Sequence, residues 1–352
     1  MNILVTGGYG FIGSTVIRKL ISKIEGTVVN IDNLTYAANP NSLNLLDKNS
    51  NYVFYKGDIC DKKIIEEVFS KYQPTYLLNL AAESHVDRSI DSPDKFIQTN
   101  INGTFNLLEC SRKYWEGIKK TKGGQFRFHH ISTDEVFGSL GESGLFDENS
   151  KYNPSSPYSA SKASSDHLVR SWHRTYGLPT SISNCSNNYG PYQNPEKLIP
   201  RIILNAINGD ILPIYGNGLQ KRDWLYVDDH ADALYQILIN GKEGETYNVG
   251  GNNENTNLEI VEKICTLLDL QISNKPNNIK SFKELIKFVP DRPGHDYRYG
   301  INAKKLKREL GWEAKTTIDY GIEKTVKWYL RNLHIFKDYS DKIYNRKIHK
   351  EE

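Results

Sequence analysis

Cysteine is scarce in this chain of 352 residues: there are four, and none of them stands in a C-x-x-C pair. That scatter indicates neither a zinc site nor a disulfide framework, so we expect no metal and a reducing compartment. Long apolar runs are absent too, since no stretch approaches the ~20 apolar residues of a membrane-spanning helix. The N-terminus lacks the charged region of a signal peptide. These absences predict a cytoplasmic protein that is not inserted in a membrane.

A strong charge of either sign is also lacking. Lysine and arginine number 45, aspartate and glutamate 42, and the formal net charge is +3 with no dense basic stripe. This balance argues against a nucleic-acid partner. At 352 residues the chain can bury a large core and is long for one domain, so we expect two parts.

The N-terminal residues carry the pattern of a dinucleotide-binding unit. The apolar strand 3–5 is followed by Gly7, Gly10 and Gly13, in G-x-x-G-x-x-G spacing, and then by a helical pattern. Glycines permit the tight turn and let backbone amides reach a pyrophosphate, which the positive helix N-terminus stabilises. A Gly-rich hairpin would predict a period of two after the turn, whereas the period here is helical.

Asp32 ends the next apolar strand, residues 27–31. Its spacing from the glycines is about that of the carboxylate that accepts the ribose hydroxyls in such units. A carboxylate at this position repels a 2′-phosphate. We therefore predict NAD, and not NADP, as the cofactor.

Strand and helix signals alternate through the first half of the chain, which is typical of a parallel doubly wound sheet. Residues 227–238 and 245–249 look like a helix and a strand that return to this sheet. The predicted fold class is α/β: a Rossmann-type doubly wound parallel sheet with a smaller, interleaved C-terminal substrate-binding domain. We assign residues 1–186, with 224–250, to the cofactor-binding domain, 187–223 and 251–340 to the second domain, and 341–352 to a charged tail.

Tyr158 and Lys162 lie four residues apart in a helical pattern, so their side chains share one face. An adjacent ammonium favours the phenolate and is expected to lower the pKa of the tyrosine from its usual value of about 10. Such a pair suits the removal of a proton from an alcohol. A helical Tyr and Lys without a role is the alternative, which the preceding glycine loop disfavours.

Residues 132–135, with the sequence STDE, follow the fifth predicted strand. The pattern S-x-x-E is that of a capping box, which usually starts a helix. Gly138 and Gly141 follow too closely for a stable helix, however. We therefore interpret Asp134 and Glu135 as an acid and a base at the mouth of a cofactor cleft.

Several motifs occur in one order along the chain. They are Gly7-x-x-Gly10-x-x-Gly13, Asp58-Ile59, the segment 80–87 (LAAESHVD), Tyr158-x-x-x-Lys162 and the segment 187–191 (NNYGP). Together they resemble the extended short-chain dehydrogenase/reductase family. Within it, segments 133–135 (TDE), 196–200 (EKLIP), 222–227 (RDWLYV) and 291–296 (DRPGHD) are similar to the dehydratases that act on glucose carried by thymidine diphosphate. The resemblance runs from Asn2 to about Trp328.

The resemblance implies an internal redox cycle: NAD oxidises C4 of the glucose, water is eliminated across C5 and C6, and the hydride returns to C6. Tyr158 would take the proton of the 4-hydroxyl, Glu135 the proton at C5, and Asp134 would protonate the departing 6-hydroxyl. Thr133 would bond the C4 oxygen, and Lys162 would hold the nicotinamide ribose. Two adjacent carboxyls suit this elimination, because one must be protonated and the other ionised.

The resemblance also implies binding residues. Those expected at NAD are Gly7, Gly10, Phe11, Ile12, Gly13, Asp32, Asn33, Leu34, Thr35, Asp58, Ile59, Leu80, Ala81, Ala82, Ser84, Thr99, Tyr158, Lys162 and Asn188. Those expected at the nucleotide sugar are Ser84, Thr133, Asn187, Lys197, Leu198, Ile199, Pro200, Pro213, Ile214, Tyr215, Arg222, Asn257, Arg292 and His295. The fork of Arg222 suits phosphate oxygens, although a surface charge is an equally good interpretation of that residue alone.

Enzymes of this type usually pair two subunits through helices near residues 94–114 and 157–176, so the resemblance implies a homodimer. Its product suggests the synthesis of rhamnose or another deoxysugar. A UDP-sugar 4,6-dehydratase, a nucleotide-sugar 4-epimerase and a non-catalytic NAD-binding regulator remain alternatives. Phe137 and Tyr297 depart from the family's pattern, which usually has Tyr and Arg there. The second departure removes a charge near the nucleotide site and leaves thymidine or uridine open.

Overall fold

The computed structural model describes residues 1–122 and 124–336. The predicted charged tail, residues 341–352, lies outside the described residues. Within the described ranges, no helix is both long enough and apolar enough to cross a membrane.

Seven strands, all paired in parallel, form the central sheet. They are β1 (Ile3–Thr6), β2 (Val28–Asp32), β3 (Tyr52–Lys56), β4 (Tyr76–Asn79), β5 (Arg127–Thr133), β6 (Thr180–Cys185) and β10 (Thr246–Val249). Their order is β10-β6-β5-β4-β1-β2-β3, so the winding reverses between β1 and β4. The predicted Rossmann-type doubly wound sheet is confirmed, and ligands of such sheets bind at this reversal, beyond the carboxyl ends of the strands.

Helices cover both faces of this sheet, and all of its strands except β3 are buried over nearly their whole length. The helices of the chain are α1 (Phe11–Lys23), α2 (Lys62–Tyr72), α3 (Val86–Asp91), α4 (Pro93–Phe96), α5 (Thr104–Lys122), α6 (Pro157–Tyr176), α7 (Leu198–Asn208), α8 (Val227–Asn240), α9 (Asn257–Gln271), α10 (Lys304–Leu310) and α11 (Ile318–Arg331). Side chains alternate along β1: Ile3 and Val5 pack with α1 and α8, whereas Leu4 packs with α2 and α5.

A second group of elements lies mostly after β6 and has its own core. Strands β7 (Asn187–Tyr189), β9 (Lys221–Tyr226) and β11 (Glu254–Thr256) form one small sheet, and β8 (Leu212–Tyr215) pairs with β12 (Ile286–Val289). Helices α7, α9 and α11 pack beside them around side chains such as Ile203, Ile264 and Ile322. Between these elements the chain returns to the central sheet through α8 and β10, as the pattern of residues 227–249 predicted.

The helix expected near residues 94–114 is interrupted. Helix α4 leads into a π-helical turn, Ile97–Gly103, and only then into α5. Asn100 in this turn accepts a hydrogen bond from the Glu83 backbone N–H (2.9 Å) and donates to the Glu83 carbonyl (3.0 Å) and the Ser161 hydroxyl (2.8 Å). The π turn therefore ties the chain after β4 to α6, which carries Tyr158 and Lys162.

Candidate active site

A cleft of about 300 Å³ runs along the carboxyl ends of the central strands. Its walls are the β1–α1 loop, the ends of β2, β4, β5 and β6, the start of α6 and the segment between β6 and α7. The predicted site residues that line it are Gly7, Gly10, Phe11, Ile12, Gly13, Asp32, Asn33, Thr35, Asp58, Ile59, Leu80, Ala81, Ala82, Ser84, Thr99, Thr133, Asp134, Glu135, Tyr158, Lys162, Asn187, Asn188 and Lys197. Cofactor and catalytic candidates therefore face one space.

The remaining candidates lie outside these walls. They are Leu34, Leu198, Ile199, Pro200, Pro213, Ile214, Tyr215, Arg222, Asn257, Arg292 and His295. Ile199 and Ile214 are each 1% exposed, in the core of the second group of elements. Packing accounts for these two side chains, so their predicted contact with the nucleotide has no support from the cleft.

The glycine loop brings β1 and β4 close together. Gly7 has a φ of +71°, and a Cβ there would lie 2.7 Å from the Ala81 Cα. A Cβ on Gly13 would lie 2.2 Å from the Gly7 carbonyl oxygen. Helix α1 begins after Gly10 without a side-chain cap. The backbone amides of its first turn are thus available to an anion such as a pyrophosphate, and the loop fits NAD.

Asp32 is held by the backbone on both sides. Its carboxylate oxygens accept hydrogen bonds from the N–H groups of Tyr9 (2.8 Å) and Leu34 (2.7 Å). Burial raises the pKa of Asp32, and these two bonds oppose the rise. Asn33 donates to Asp58 (3.0 Å) at the end of the neighbouring strand. Hydrogen bonds from neighbouring residues therefore fix the orientation of the Asp32 and Asp58 carboxylates.

The capping box that was the alternative interpretation of residues 132–135 does not form. The Ser132 hydroxyl donates to Asp166 Oδ2 (2.9 Å), and Thr133 caps a short 3-10 turn, Asp134–Phe137, by accepting from the Glu135 N–H (3.3 Å). Asp134 is 1% exposed, and its Oδ2 atom has no hydrogen-bond partner in the part of the chain that is described. An unpartnered buried carboxyl oxygen is costly, which favours a functional role.

The two carboxyls differ in their surroundings. Burial raises the pKa of Asp134 well above its usual value, and the nearby Glu135 and Asp223 raise it further. Burial also raises the pKa of Glu135, but three cations, Arg292, Lys197 and Arg222, oppose that rise. Asp134 is therefore the group that holds its proton more readily, and Glu135 is the group that ionises more readily.

The expected lowering of the Tyr158 pKa below its usual value of about 10 is wrong. Burial raises the pKa of Tyr158 well above 10, the negative charge of Glu135 adds to the rise, and a hydrogen bond with Thr133 opposes it. The Lys162 ammonium instead donates to the Ile131 carbonyl (2.8 Å). Burial lowers the pKa of Lys162 to about 8. Loss of solvent around Tyr158 therefore has a larger effect on its pKa than the position of Lys162 one helical turn away.

The arginines near the acid–base pair are not surface charges. Arg222 is 4% exposed, donates to the carbonyl of Asp296 (2.9 Å) and lies over the ring of Tyr299, with 4.3 Å between the guanidinium carbon and the ring centroid. Arg292 pairs with Asp87 (3.3 Å), and its buried Nε atom has no partner among the described residues. Both guanidiniums influence the pKa of Glu135.

Three further predicted nucleotide-site residues, Tyr215, His295 and Lys197, are engaged within the chain. The Tyr215 hydroxyl donates to Asp87 (3.2 Å), and His295 contacts Asp291 (2.6 Å). Lys197 donates to the Ser84 carbonyl (2.9 Å), so it links the α7 segment to the end of β4.

Two departures from the family pattern have structural explanations. Phe137 is buried and stacked on Phe146, with 5.1 Å between the ring centroids, so it fills an apolar cluster behind the acid–base pair. The side chain of Tyr297 is 44% exposed, and the positive charge of this segment is on the next residue, Arg298, which pairs with Glu254 (2.7 Å).

Sequence reasoning missed a contact that spans the cleft. The guanidinium of Arg88 forms an ion pair with Glu196 and lies over the ring of Tyr36, 3.6 Å from its centroid. Tyr36 follows β2, and Glu196 precedes α7. We call this contact the Arg88 bridge. No local motif marks it, because its three members are distant in the sequence.

Comparisons with known proteins agree with this geometry. The family model described as GDP-mannose 4,6 dehydratase matches residues 4–325. The dTDP-glucose 4,6-dehydratase of Escherichia coli is 57% identical over 341 residues, which cover 94% of each chain. That of Neisseria meningitidis serogroup B is 58% identical over 331 residues, 94% of this chain and 93% of the relative.

Solved structures are similar over nearly the whole chain. The dTDP-glucose 4,6-dehydratase of Bacillus anthracis, in complex with NAD, has a TM-score of 0.83 at 44% identity and covers 95% of this chain and 98% of its own. That of Streptomyces venezuelae, with NAD and the ligand TYD bound, has a TM-score of 0.87 at 40% identity, covering 96% and 99%. The UDP-glucose 4-epimerase of Thermotoga maritima has a TM-score of 0.80 at 30% identity, covering 95% and 100%.

A Rossmann-type sheet with a glycine loop, a Tyr–Lys pair and an adjacent acid–base pair defines an NAD-dependent enzyme of the extended short-chain dehydrogenase/reductase class. Within that class the identities above are decisive. The chain belongs to the dTDP-glucose 4,6-dehydratase family.

Proposed function

We propose that the protein converts dTDP-glucose to dTDP-4-keto-6-deoxyglucose and water, with NAD as its cofactor, and so supplies deoxysugar synthesis such as that of dTDP-rhamnose. One observation carries the proposal. Asp134 and Glu135 lie side by side at the end of β5 and line the same cleft as Tyr158. A 4-epimerase expels no water and has no need of this second acid–base pair.

Bound NAD supplies a reversible two-electron acceptor beside the sugar. Tyr158 takes the proton of the 4-hydroxyl as C4 is oxidised, and Thr133 bonds the C4 oxygen. Burial raises the pKa of Tyr158. When NAD is bound, the charge of Lys162 together with that of the oxidised nicotinamide would oppose this rise and favour the phenolate.

The elimination uses the two carboxyls. Once C4 is a ketone, the hydrogen at C5 is acidic, and ionised Glu135 removes it. Asp134 gives its proton to the 6-hydroxyl, so the C6–O bond breaks and water leaves. Two electrons and a proton, together the equivalent removed from C4, then return to C6, and Glu135 gives its proton back to C5. One proton must pass from Tyr158 to Asp134, directly or through solvent, before the next turnover.

We also propose that residues 187–223 and 251–340 bind the nucleotide sugar. The support is electrostatic, because Arg222 and Arg292 from these segments act on the pKa of Glu135 and must lie near the reacting sugar. Guanidiniums suit the two phosphates of a nucleoside diphosphate.

A homodimer is a further part of the proposal. Ile97, Phe105 and Tyr176 are 45–47% exposed on the π turn, α5 and α6. Phe105 and Tyr176 both contact Trp172, with ring centroids 5.7 and 5.6 Å apart, and so form one apolar strip. A second copy of the same strip would cover it.

We propose the cytoplasm as the location, since NAD and nucleotide sugars are available there.

Incubation of the purified protein with dTDP-glucose, and separately with UDP-glucose, tests the function by product mass. Loss of one water from dTDP-glucose supports the proposal, and loss only from UDP-glucose supports a UDP-sugar dehydratase. A change of configuration without a change of mass indicates an epimerase. Retained NAD without turnover indicates a non-catalytic regulator.

Glu135→Gln tests the base. We expect dehydration to fall by about 10²–10⁴-fold, because an amide cannot remove the C5 proton. Oxidation at C4 is expected to persist, so the absorbance of reduced cofactor should accumulate after substrate is added. Glu142→Gln, at an exposed position on the following loop, is the matched control. Dehydration by Glu135→Gln at the parent rate would show that the base is misassigned.

A further inference from the structure

A buried polar cluster that the proposed reaction does not use lies behind Lys162. It consists of His130 of β5, Asp166 of α6 and Asn79 of β4, and their exposed fractions are 0%, 0% and 1%. Asp166 and Lys162 are four residues apart on one helix, as are Lys162 and Tyr158. Burial of a carboxyl and an imidazole in this way is unfavourable unless they are paired.

The two oxygens of Asp166 are used unequally. Its Oδ2 atom accepts hydrogen bonds from the Ser132 hydroxyl (2.9 Å), the Tyr152 hydroxyl (2.8 Å) and the Asn184 amide (3.3 Å). Its Oδ1 atom lies 3.4 Å from His130 Nε2 and has no hydrogen-bond partner among the described residues. Three donors fix the carboxylate so that its unbonded oxygen faces the imidazole and the amine beyond it.

His130 is a neutral spacer in this cluster. The Thr6 hydroxyl donates to Asn79 Oδ1 (2.8 Å), which leaves the Asn79 amide nitrogen 3.1 Å from His130 Nδ1. Nδ1 therefore accepts, and the ring carries its proton on Nε2. Burial lowers the pKa of His130 well below its usual value, and the charge of Lys162 lowers it further. With its proton on Nε2, the ring points a donor towards Asp166 Oδ1, and its 3.3 Å contact with Lys162 Nζ is not a hydrogen bond from the ammonium.

We propose that Asp166 is the buried counter-ion of Lys162, a positioning residue that keeps the ammonium charged beside Tyr158, with His130 as the neutral group between them. This inference rests on the proposed function, in which a charged Lys162 favours the Tyr158 phenolate. Nothing in the reaction itself requires Asp166 to touch the sugar or the cofactor.

The charges around Lys162 single out Asp166. The groups that contact or act on the amine are Asp166 on α6, His130 and the Ile131 carbonyl on β5, and Cys185 on β6. Burial lowers the pKa of Lys162 to about 8, and Asp166 is the strongest influence that opposes this fall, ahead of Cys185. Without the Asp166 carboxylate, little would oppose the lowering of the Lys162 pKa by burial. The pKa would then fall further, towards neutral pH.

Competitive acetylation of the intact protein with acetic anhydride, read at the Lys162 peptide by mass spectrometry across a pH series, tests this directly. Lys162 lines the cleft and is 4% exposed, so labelling of the parent at high pH is the control that the reagent reaches the amine. In Asp166→Asn we expect the labelling midpoint to fall by about one pH unit, from about 8 to about 7, which is about fivefold more free amine at pH 7. Tyr152→Phe removes one hydrogen bond to the same carboxylate and keeps its charge, so its midpoint should stay near that of the parent. An unchanged midpoint in Asp166→Asn overturns the proposal.

Turnover gives a second readout. The alkaline limb of kcat for dTDP-glucose should move to lower pH in Asp166→Asn by the same amount, with KM little changed. A uniform fall in kcat with an unmoved limb would indicate a structural role and overturn the inference. If Asp166→Asn fails to fold, acetylation of the unsubstituted protein is still informative. A labelling midpoint of Lys162 below pH 7 contradicts a stabilised ammonium, and a midpoint near pH 8 supports it. Absence of dehydration by the parent would refute the proposed function and leave the labelling result standing.

Discussion

Asp134 shows how one residue serves chemistry at the expense of stability. It is almost fully buried, and one of its oxygens has no partner among the described residues. Its folded-state pKa is raised by burial above the unfolded value. Folding therefore favours the protonated form, and the contribution of this group to stability, complete below the unfolded pKa of about 4, is lost as the pH rises towards the folded pKa.

Asp134→Asn should separate these two effects. The amide cannot ionise, so we expect the melting temperature to rise by about 1–3 °C at pH 8, with a smaller gain at pH 5. Dehydration should fall by about 10²–10⁴-fold, because the amide cannot protonate the 6-hydroxyl. Thermal melts at the two pH values and product assays check both effects, with exposed Asp47→Asn as the control. A lower melting temperature at pH 8 would contradict the account of a destabilising buried acid.

At the residue scale, the spacing of residues in the sequence predicted those site residues whose positions depend only on the local backbone. Gly7 and Gly13 were predictable because a tight turn before a helix admits no Cβ there. Thr133 to Glu135 were predictable because they follow a buried strand. The raised pKa of Tyr158 and the burial of Arg222 were not, since both depend on side chains far away in the sequence.

Between elements, the Arg88 bridge joins the loop after β2 to the segment before α7 across the cofactor cleft. The Asn194 amide also donates to the Tyr36 carbonyl (3.4 Å), so the two segments touch at two places. A cofactor that is regenerated in every cycle gains from slow dissociation. We predict that the Arg88 bridge, which lies beside the cleft, slows the dissociation of NAD.

Arg88→Ala tests this retention. Loss of the cation over the Tyr36 ring and of the pair with Glu196 should speed NAD dissociation about tenfold, the factor that corresponds to ~1.4 kcal/mol. Release into a trapping dehydrogenase, measured by stopped flow, checks it. Lys327→Ala, which breaks the exposed ion pair with Glu323, is the control. An NAD release rate equal to the control's would show that the bridge does not hold the cofactor.

The strands and helices of the central sheet could be predicted from periodicity, and even the return through α8 and β10 was. The π turn before α5 was missed because its sequence continues an ordinary helical pattern. The two small sheets were missed because their strands are three to six residues long, and β8 begins Leu212-Pro213. Such strands form only when partners distant in sequence meet.

For the molecule as a whole, the chain passes from the central sheet to the second group of elements and back before it ends. The cleft lies where these passages meet. The apolar strip of Ile97, Phe105 and Tyr176 lies on the helices behind the Tyr158–Lys162 face. Subunit pairing there would stabilise α6, the helix that carries Tyr158 and Lys162.

Phe105→Glu should disrupt the proposed homodimer, because two carboxylates would then be buried in one self-complementary interface. Size-exclusion chromatography with light scattering should give the mass of a single chain, whereas the parent gives twice that mass. Leu270→Glu changes an equally apolar side chain that is 79% exposed at the end of α9, and it should leave the assembly intact. A parent that elutes as a single chain would refute the dimer.

The two backbone hydrogen bonds to the Asp32 carboxylate limit how the cofactor preference of this protein can be redesigned. Because the carboxylate already anchors the amides of Tyr9 and Leu34, exchanging it for a smaller or basic residue would slacken the turn that cradles the pyrophosphate. A switch to the phosphorylated dinucleotide would therefore demand compensating changes in both loops, and single substitutions at this position should yield proteins that hold neither form well.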